Sequence, residues 1–413
     1  MQSKELTAAP GASAESAPAV KTTPRPLQRL GIGAIVLSHA SVDMQTSSLT
    51  VLLPLLLVTL NLNYAAVAAI LSVNNLVIAV AQPLFGILGD RRPMPWLPLL
   101  GSIVCGAAMA TVVLTNNYWL VLVAVTISGL GSAAFHPEAI TRVRSISGDK
   151  QATGASLFFF GGNLGFALGP LTMALLLDRF GTTGAPAIAL PTLIFGALLW
   201  SQRRLYARAA SAKDRVLSTP TGTNTRSQAF ALVGLLLVLI ILRSTVLIGL
   251  QSFIPLYFTE LGELSKTEIA RLLTILALSG AIGTLFSGPL ADRIGRRTVM
   301  VGAMAIVLGA LAVFLRTDGL AQMVALGVAG AAITAPWTLT VVMVQDAMPN
   351  NLGLAGGLTL GTAYGASGLG VAALGSFADT AGLAQTMLVL TLLPATVLVL
   401  SLFVPNRPVR VVA

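Results

Sequence analysis

Twelve apolar runs of about 20 residues follow one another along the chain, at approximately 30–60, 64–89, 95–115, 118–141, 152–177, 184–202, 229–259, 268–291, 298–315, 320–345, 352–377 and 382–404. A run of that length lets one helix cross the hydrocarbon core of a bilayer. Lipid offers the backbone no hydrogen-bond partners, so each run must satisfy its own N–H and C=O groups as a helix. Only 10% of the residues are charged and 55% are hydrophobic, against about 25% charged in a soluble domain. So few charges cannot coat a water-facing surface, which excludes a large soluble enzyme. The 40 glycines and 21 prolines suit close helix packing in a membrane bundle. The expected fold class is an all-α polytopic membrane protein with twelve transmembrane helices in two pseudo-symmetric six-helix bundles.

The pseudo-symmetry is read from a repeat. Gly86-Ile87-Leu88-Gly89-Asp90-Arg91 returns as Gly288-Pro289-Leu290-Ala291-Asp292-Arg293, 202 residues later. Pro54 and Pro255, Gly169 and Gly370, Asp178 and Asp379, and Gly181 and Gly382 are each 201 apart. One offset held over several spans implies two related halves. The expected organisation is a disordered cytoplasmic tail at 1–28, rich in Ala, Ser, Pro and Thr, then a six-helix bundle at 29–203. A polar, basic linker at 204–228, a second bundle at 229–405 and a short cytoplasmic tail at 406–413 follow. Where a carrier is built from such repeats, its substrate sits near the midplane between them and the halves rock about it.

The formal net charge of +10 is an orientation signal and not a nucleic-acid footprint. Twenty of the 25 Lys and Arg residues fall on one side of a chain that crosses twelve times: in the tails, the linker and the turns after the second, fourth and eighth runs. By the positive-inside bias, both termini lie in the cytoplasm. One cysteine, Cys105, allows no intramolecular disulfide and no Cys-based metal site. Two histidines give little basis for a zinc site, so no metal is expected. No cofactor is expected either, and the absence of a Gly-x-x-x-x-Gly-Lys-Ser/Thr loop disfavours ATP-driven pumping. No filter-like or ring-forming charged motif suggests a channel. Expected partners are membrane lipid, protons and a small-molecule substrate, with the chain acting as a monomer in a bacterial inner membrane.

Ionisable residues inside the spans carry the functional argument, because burying them in a bilayer is costly. At about 1.5 Å of rise per residue, His39 lies roughly 15 Å and Asp43 roughly 21 Å beyond Arg29. Their spacing of four puts them on one helical face. Asp43 is the candidate proton site and His39 its modulator; the alternative is a buried hydrogen bond that only joins helices. Arg243 sits 200 residues after Asp43, in the equivalent span. It either holds an anionic group of the substrate, pairs with Asp43 or Glu138, or forms a structural ion pair. Pro137, in Phe135-His136-Pro137-Glu138, and Pro336, before Trp337, are 199 apart. Interrupted helices at matching places point to a carrier's site, so Phe135 and Trp337 join Arg243 as candidate substrate contacts. Glu138 is a candidate second proton or gating group with His136 as its neighbour, or else a surface partner of Arg142. Asp90, Arg91, Asp292, Arg293 and Arg296 are candidate latches between helix ends. Asp346 reads as a helix-end cap. Gly161, Gly165 and Gly169 form a packing groove, and Gly165 and Gly169, like Pro137 and Arg142, are counted among candidate conformational residues.

These motifs resemble the major facilitator superfamily. The turn at Gly288, Asp292, Arg293, Gly295, Arg296 and Arg297 is similar to its signature loop, and the copy at Gly86 is shortened by Pro93. The stretch Gly161 to Pro170 resembles the fifth-span motif of that superfamily's antiporters. Ser38-His39, Asp43-Met44, Pro93-Met94-Pro95-Trp96, Gly129-Leu130-Gly131-Ser132 and Phe135-His136-Pro137-Glu138 together resemble the fosmidomycin-resistance family of efflux carriers. The fourth-span arginine of many drug antiporters has no counterpart in Ala124 to Ser128, so no mechanism based on it carries over. The resemblance implies a drug:proton antiporter exporting small anionic or amphiphilic compounds, with fosmidomycin-like phosphonates first among them. The alternatives are a proton symporter importing a metabolite and a transport-dead membrane sensor. No enzymatic activity is expected.

Overall fold

The computed structural model describes residues 28–92, 94–206, 208, 226–262 and 264–405. The expected tails, except Gln28, and most of the expected linker lie outside the described residues. Among the described residues, twelve long α-helices build the fold. The first six are α1 (Arg29–Thr59), α2 (Tyr64–Arg91), α3 (Leu97–Thr111), α4 (Tyr118–Ile146), α5 (Gln151–Gly184) and α6 (Leu190–Ser201). The second six are α7 (Arg226–Leu261), α8 (Lys266–Ile294), α9 (Arg296–Phe314), α10 (Gly319–Ala347), α11 (Leu352–Ala381) and α12 (Leu383–Ser401).

Local chemistry sets the ends. Asn63 accepts from the Ala66 N–H to cap α2, and Asn117 caps α4 through the Trp119 and Leu120 N–H groups. Ser265 and Glu268 form a reciprocal capping box on α8, which supplies two of the N–H partners that a helix start lacks. Hydrogen bonds from Ser265 hold the Glu268 carboxyl below its ordinary range. The repeat is visible in the backbone. Gly181 near the end of α5 and Gly382 after α11 have φ of +63° and +91°, a region that side chains disfavour.

The two halves pack alike. In the first, α1 lies along α5, α2 and α3 flank α4, and α3 meets α6; in the second, α7 lies along α11, α8 and α9 flank α10, and α9 meets α12. Between halves, α2 packs on α11 and α5 on α8. Gly86 and Gly353 bring α2 and α11 so close that a β-carbon on either would enter the other's backbone.

The interruptions expected at Pro137 and Pro336 are not found; α4 and α10 run through both prolines. Packing on both sides holds each helix despite the lost N–H, a tolerance known in membrane helices.

The tightest contact in the first half is α1 on α5. Gly161, Gly165 and Gly169 face the backbone of Val36, Ala40 and Met44 in turn. Overpacking such a seam costs about 1–3 kcal/mol. Gly165→Leu is therefore expected to lower the melting temperature of the detergent-solubilised protein; a melting curve unchanged from wild type would contradict the seam.

Candidate functional site

The seam between α1 and α5 positions the central group. Asp43, halfway along α1, is 6% exposed. His39, one turn earlier, places Nε2 3.2 Å from one Asp43 oxygen. His136 of α4 places its own Nε2 3.2 Å from the other. Both imidazoles are fixed from behind: His39 Nδ1 donates to the Phe158 carbonyl and His136 Nδ1 to the Ser132 carbonyl, each at 2.7 Å. The His39 ring also stacks on Phe158 with centroids 3.8 Å apart. Gly162 lies against the trio, and a β-carbon there would come within 2.6 Å of the Asp43 carboxylate. Neither the His136 contact nor the role of Gly162 was derived from sequence; only their presence in the Phe135–Glu138 and Gly161–Pro170 stretches marked them.

Asp43 and His136 line a cavity of about 360 Å³. Its walls are Thr46, Ser47 and Thr50 of α1, Leu71, Asn75, Ile78 and Gln82 of α2, Ser132 of α4, and Phe166 and Pro170 of α5. Along α1 it runs from Asp43 away from the end of the bundle that carries the chain termini.

That terminus-bearing end is shut by matching contacts. Asp90 of α2 accepts from the Gly353 and Leu354 N–H groups at the start of α11, each at 2.8 Å. Asp292 of α8 accepts from the Thr153 N–H at 3.2 Å and the Thr153 hydroxyl at 2.6 Å, at the start of α5. Each carboxylate thus meets the positive end of a helix from the opposite half. Arg91 and Arg293 beside them are exposed. Asp346 is not a cap as expected. Near the C-terminus of α10, where the dipole disfavours a carboxylate, it is held by Arg144 of α4 and Arg296 of α9.

Other expected groupings are redistributed. Glu138 pairs with Arg142 at 3.3 Å and faces Gly89, while His136 belongs to Asp43. Residues two apart on a helix point to different sides, which separates them. Arg142 also donates to the Pro95 carbonyl and lies over Tyr206; burial pushes the Tyr206 phenol up, so it stays a neutral donor to the Gly31 carbonyl. Phe135, an expected substrate contact, is fully buried among Ile35, Val42 and Cys105 and edges onto His136. Arg243, 7% exposed, donates to the Ile333 carbonyl and the Ser244 hydroxyl and lies over Trp337 at 5.0 Å. Neither Arg243 nor Trp337 lines the cavity at Asp43. They connect to it through rings: Trp337 meets Phe159 at 5.4 Å, and Phe159 meets Phe158 at 5.2 Å. Arg243 and Asp43 thus sit at the two ends of one aromatic chain across the halves.

Two similar helix bundles, buried ionisable groups and a cavity ending at one of them define a multi-pass membrane transporter. The Major Facilitator Superfamily model matches residues 35–263 and 236–412, and the chain belongs to that superfamily. It is 29% identical over 381 residues to the Fosmidomycin resistance protein of Escherichia coli (strain K12), covering 91% of this chain and 93% of that protein. It is 30% identical over 369 residues to the uncharacterized MFS-type transporter YfnC of Bacillus subtilis (strain 168), covering 87% and 89%. The fold matches the crystal structure of the transporter FucP in its outward conformation, with a TM-score of 0.65, 15% identity, and 91% and 98% coverage.

Removing the shared carboxylate of a largely buried ion-pair cluster leaves two guanidinium groups uncompensated. Asp346→Asn is therefore expected to loosen the shut end. In a Cys105→Ser background, a cysteine at Ser156, buried between α5 and α8, should react several-fold faster with a water-soluble maleimide once Asp346 is changed. An equal rate would show that the Arg144–Asp346–Arg296 contact does not hold that end shut.

Proposed function

We propose that the chain is a proton-coupled antiporter that exports small anionic or amphiphilic compounds, with fosmidomycin-like phosphonates as the leading substrate class. The observation that carries this reading is Asp43 clasped by two imidazoles at the closed end of a cavity. Both rings keep a hydrogen on Nδ1, because a carbonyl can only accept. Each 3.2 Å contact between Nε2 and carboxylate then needs a proton of its own. The trio therefore stores up to two protons, and its charge runs from −1 when empty to +1 when full. Cys105 of α3 lies behind it, with its sulfur 3.5 Å from the Ser128 hydroxyl, and Gly162 closes it from α5 without adding a charge.

The positive-inside bias supports cytoplasmic termini and a bacterial inner membrane, which makes this an outward-facing state in which protons load from outside. Rocking of the halves, 29–203 against 229–405 about the linker 204–228, then exposes the trio to the cytoplasm. Asp90, Asp292 and Asp346 release their partners in that step, and Glu138 with Arg142 moves at the same end. Arg243 offers a guanidinium fork suited to phosphonate oxygens, with Trp337 as its platform. The protein works as a monomer in this reading. The name of the Escherichia coli relative supports the substrate class. A second reading, proton-driven uptake of a small polar metabolite, is favoured by one observation: six of the twelve residues around the cavity carry a hydroxyl or amide side chain.

Two measurements decide. In proteoliposomes under a pH gradient, Asp43→Asn is expected to reduce drug-driven proton exchange to the level of protein-free vesicles, and full exchange in that variant would end the proton assignment. In a pump-deficient host, expression should raise tolerance to fosmidomycin. Arg243→Gln should remove that tolerance while leaving export of uncharged compounds measurable. Tolerance equal to wild type would remove Arg243 as the anion site, and accumulation of a metabolite with no drug phenotype would favour the second reading.

A further inference from the structure

The same three side chains make a donor set for a metal ion. The Phe158 and Ser132 carbonyls fix hydrogens on Nδ1 of His39 and His136, so both neutral rings turn Nε2 lone pairs toward a carboxylate. Two imidazole nitrogens and one carboxylate oxygen lie within 4.8 Å of one another, all buried. Among the three facing atoms nothing donates unless a proton is added, and a divalent cation answers the same need. Zinc–nitrogen and zinc–oxygen bonds are about 2.1 Å long, so ligand atoms 3.2 Å apart subtend roughly 100° at the ion, which suits tetrahedral or octahedral coordination. The two 3.2 Å contacts reach different Asp43 oxygens, and up to about 1.5 Å of ring movement closes the widest separation, within 4.8 Å, to the roughly 3.4 Å between tetrahedral zinc ligands. Metal-binding histidines commonly donate their other N–H to a backbone carbonyl, which orients the ring; both histidines already do so. Asp43 and His136 open onto the cavity, which provides an entry path and room for water on the remaining coordination positions.

We propose that His39, Asp43 and His136 bind one divalent transition-metal ion of the zinc, cobalt or nickel class, entering from the cavity. Imidazole nitrogen with a single carboxylate selects these ions over magnesium and calcium, which prefer all-oxygen sites. The ion occupies the atoms that hold protons in the transport reading, so it blocks proton loading while it is bound. The site is assembled from α1 and α4 and is supported by α5, so it exists only in the folded bundle.

The chain's composition makes the test clean, because it has two histidines and one cysteine. Full-length protein, purified through a tag without histidine and stripped with chelator, is titrated with cobalt(II) in detergent. One equivalent is expected to bind, with visible ligand-field absorption that zinc abolishes by displacement. His136→Gln and His39→Gln should each weaken cobalt binding at least tenfold while circular dichroism keeps its helical signal; Asp43→Asn should remove the band. No saturable band, or one unaffected by all three substitutions, overturns the proposal. The transport reading is judged apart. Proton exchange that persists in chelator while cobalt fails to bind leaves that reading standing without the metal. Cobalt bound at the trio of a protein whose Asp43→Asn variant still transports leaves the metal site standing without the proton role.

Discussion

A carboxylate in the middle of a membrane bundle must be matched by hydrogen or by charge, and most of this structure can be read from how Asp43 is matched. Two imidazoles approach it from two helices, and each ring is tethered by a backbone carbonyl on its far side. The tethers turn a pair of ordinary hydrogen bonds into a site with defined tautomers. Neutral rings present only lone pairs to the carboxylate, so the three groups face one another acceptor to acceptor until a cation is shared between them. Residence of that group at the end of a cavity makes the demand usable.

The second constraint lies at the end of the bundle that carries the termini. Asp90 and Asp292 are equivalent residues of the two halves, and each reaches the first turn of a helix in the other half. Such contacts use backbone N–H groups that a helix start leaves unsatisfied. They fix position without needing long side chains, and they come apart together if the halves tilt. Asp346 adds a two-sided ion pair with Arg144 and Arg296, again spanning both halves.

Much of the fold was legible because lipid leaves a chain few options: length and apolarity are enough to expect twelve helices, and the 201-residue offset between Gly181 and Gly382 is echoed by positive φ at both. The Asp43–His39 pair was legible from its spacing on one helix. His136 was not, since 93 residues separate it from Asp43 and its nearest acid along the chain is Glu138, which points elsewhere. The prolines pointed to the right depth for a different reason from the one expected. Their helices stay whole, and the nearby carbonyls of Ser132 and Ile333 accept from His136 and Arg243. Phe135 looked like a lining residue because it lies beside Pro137, yet its place on the helix sends it into the core. Asp346 looked like a terminus residue because sequence does not reveal which arginines the fold brings from other helices.

The helix α5 joins these constraints. It supplies the Phe158 carbonyl and ring that hold His39, leaves bare backbone at Gly162 beneath the carboxylate, and packs directly on α8 of the other half. Any sliding of α5 along α1 moves the Phe158 carbonyl and ring that set the orientation of the His39 imidazole. One helix thereby gives the far bundle a mechanical linkage to the geometry around Asp43, much as a lever carries displacement from one arm to the other.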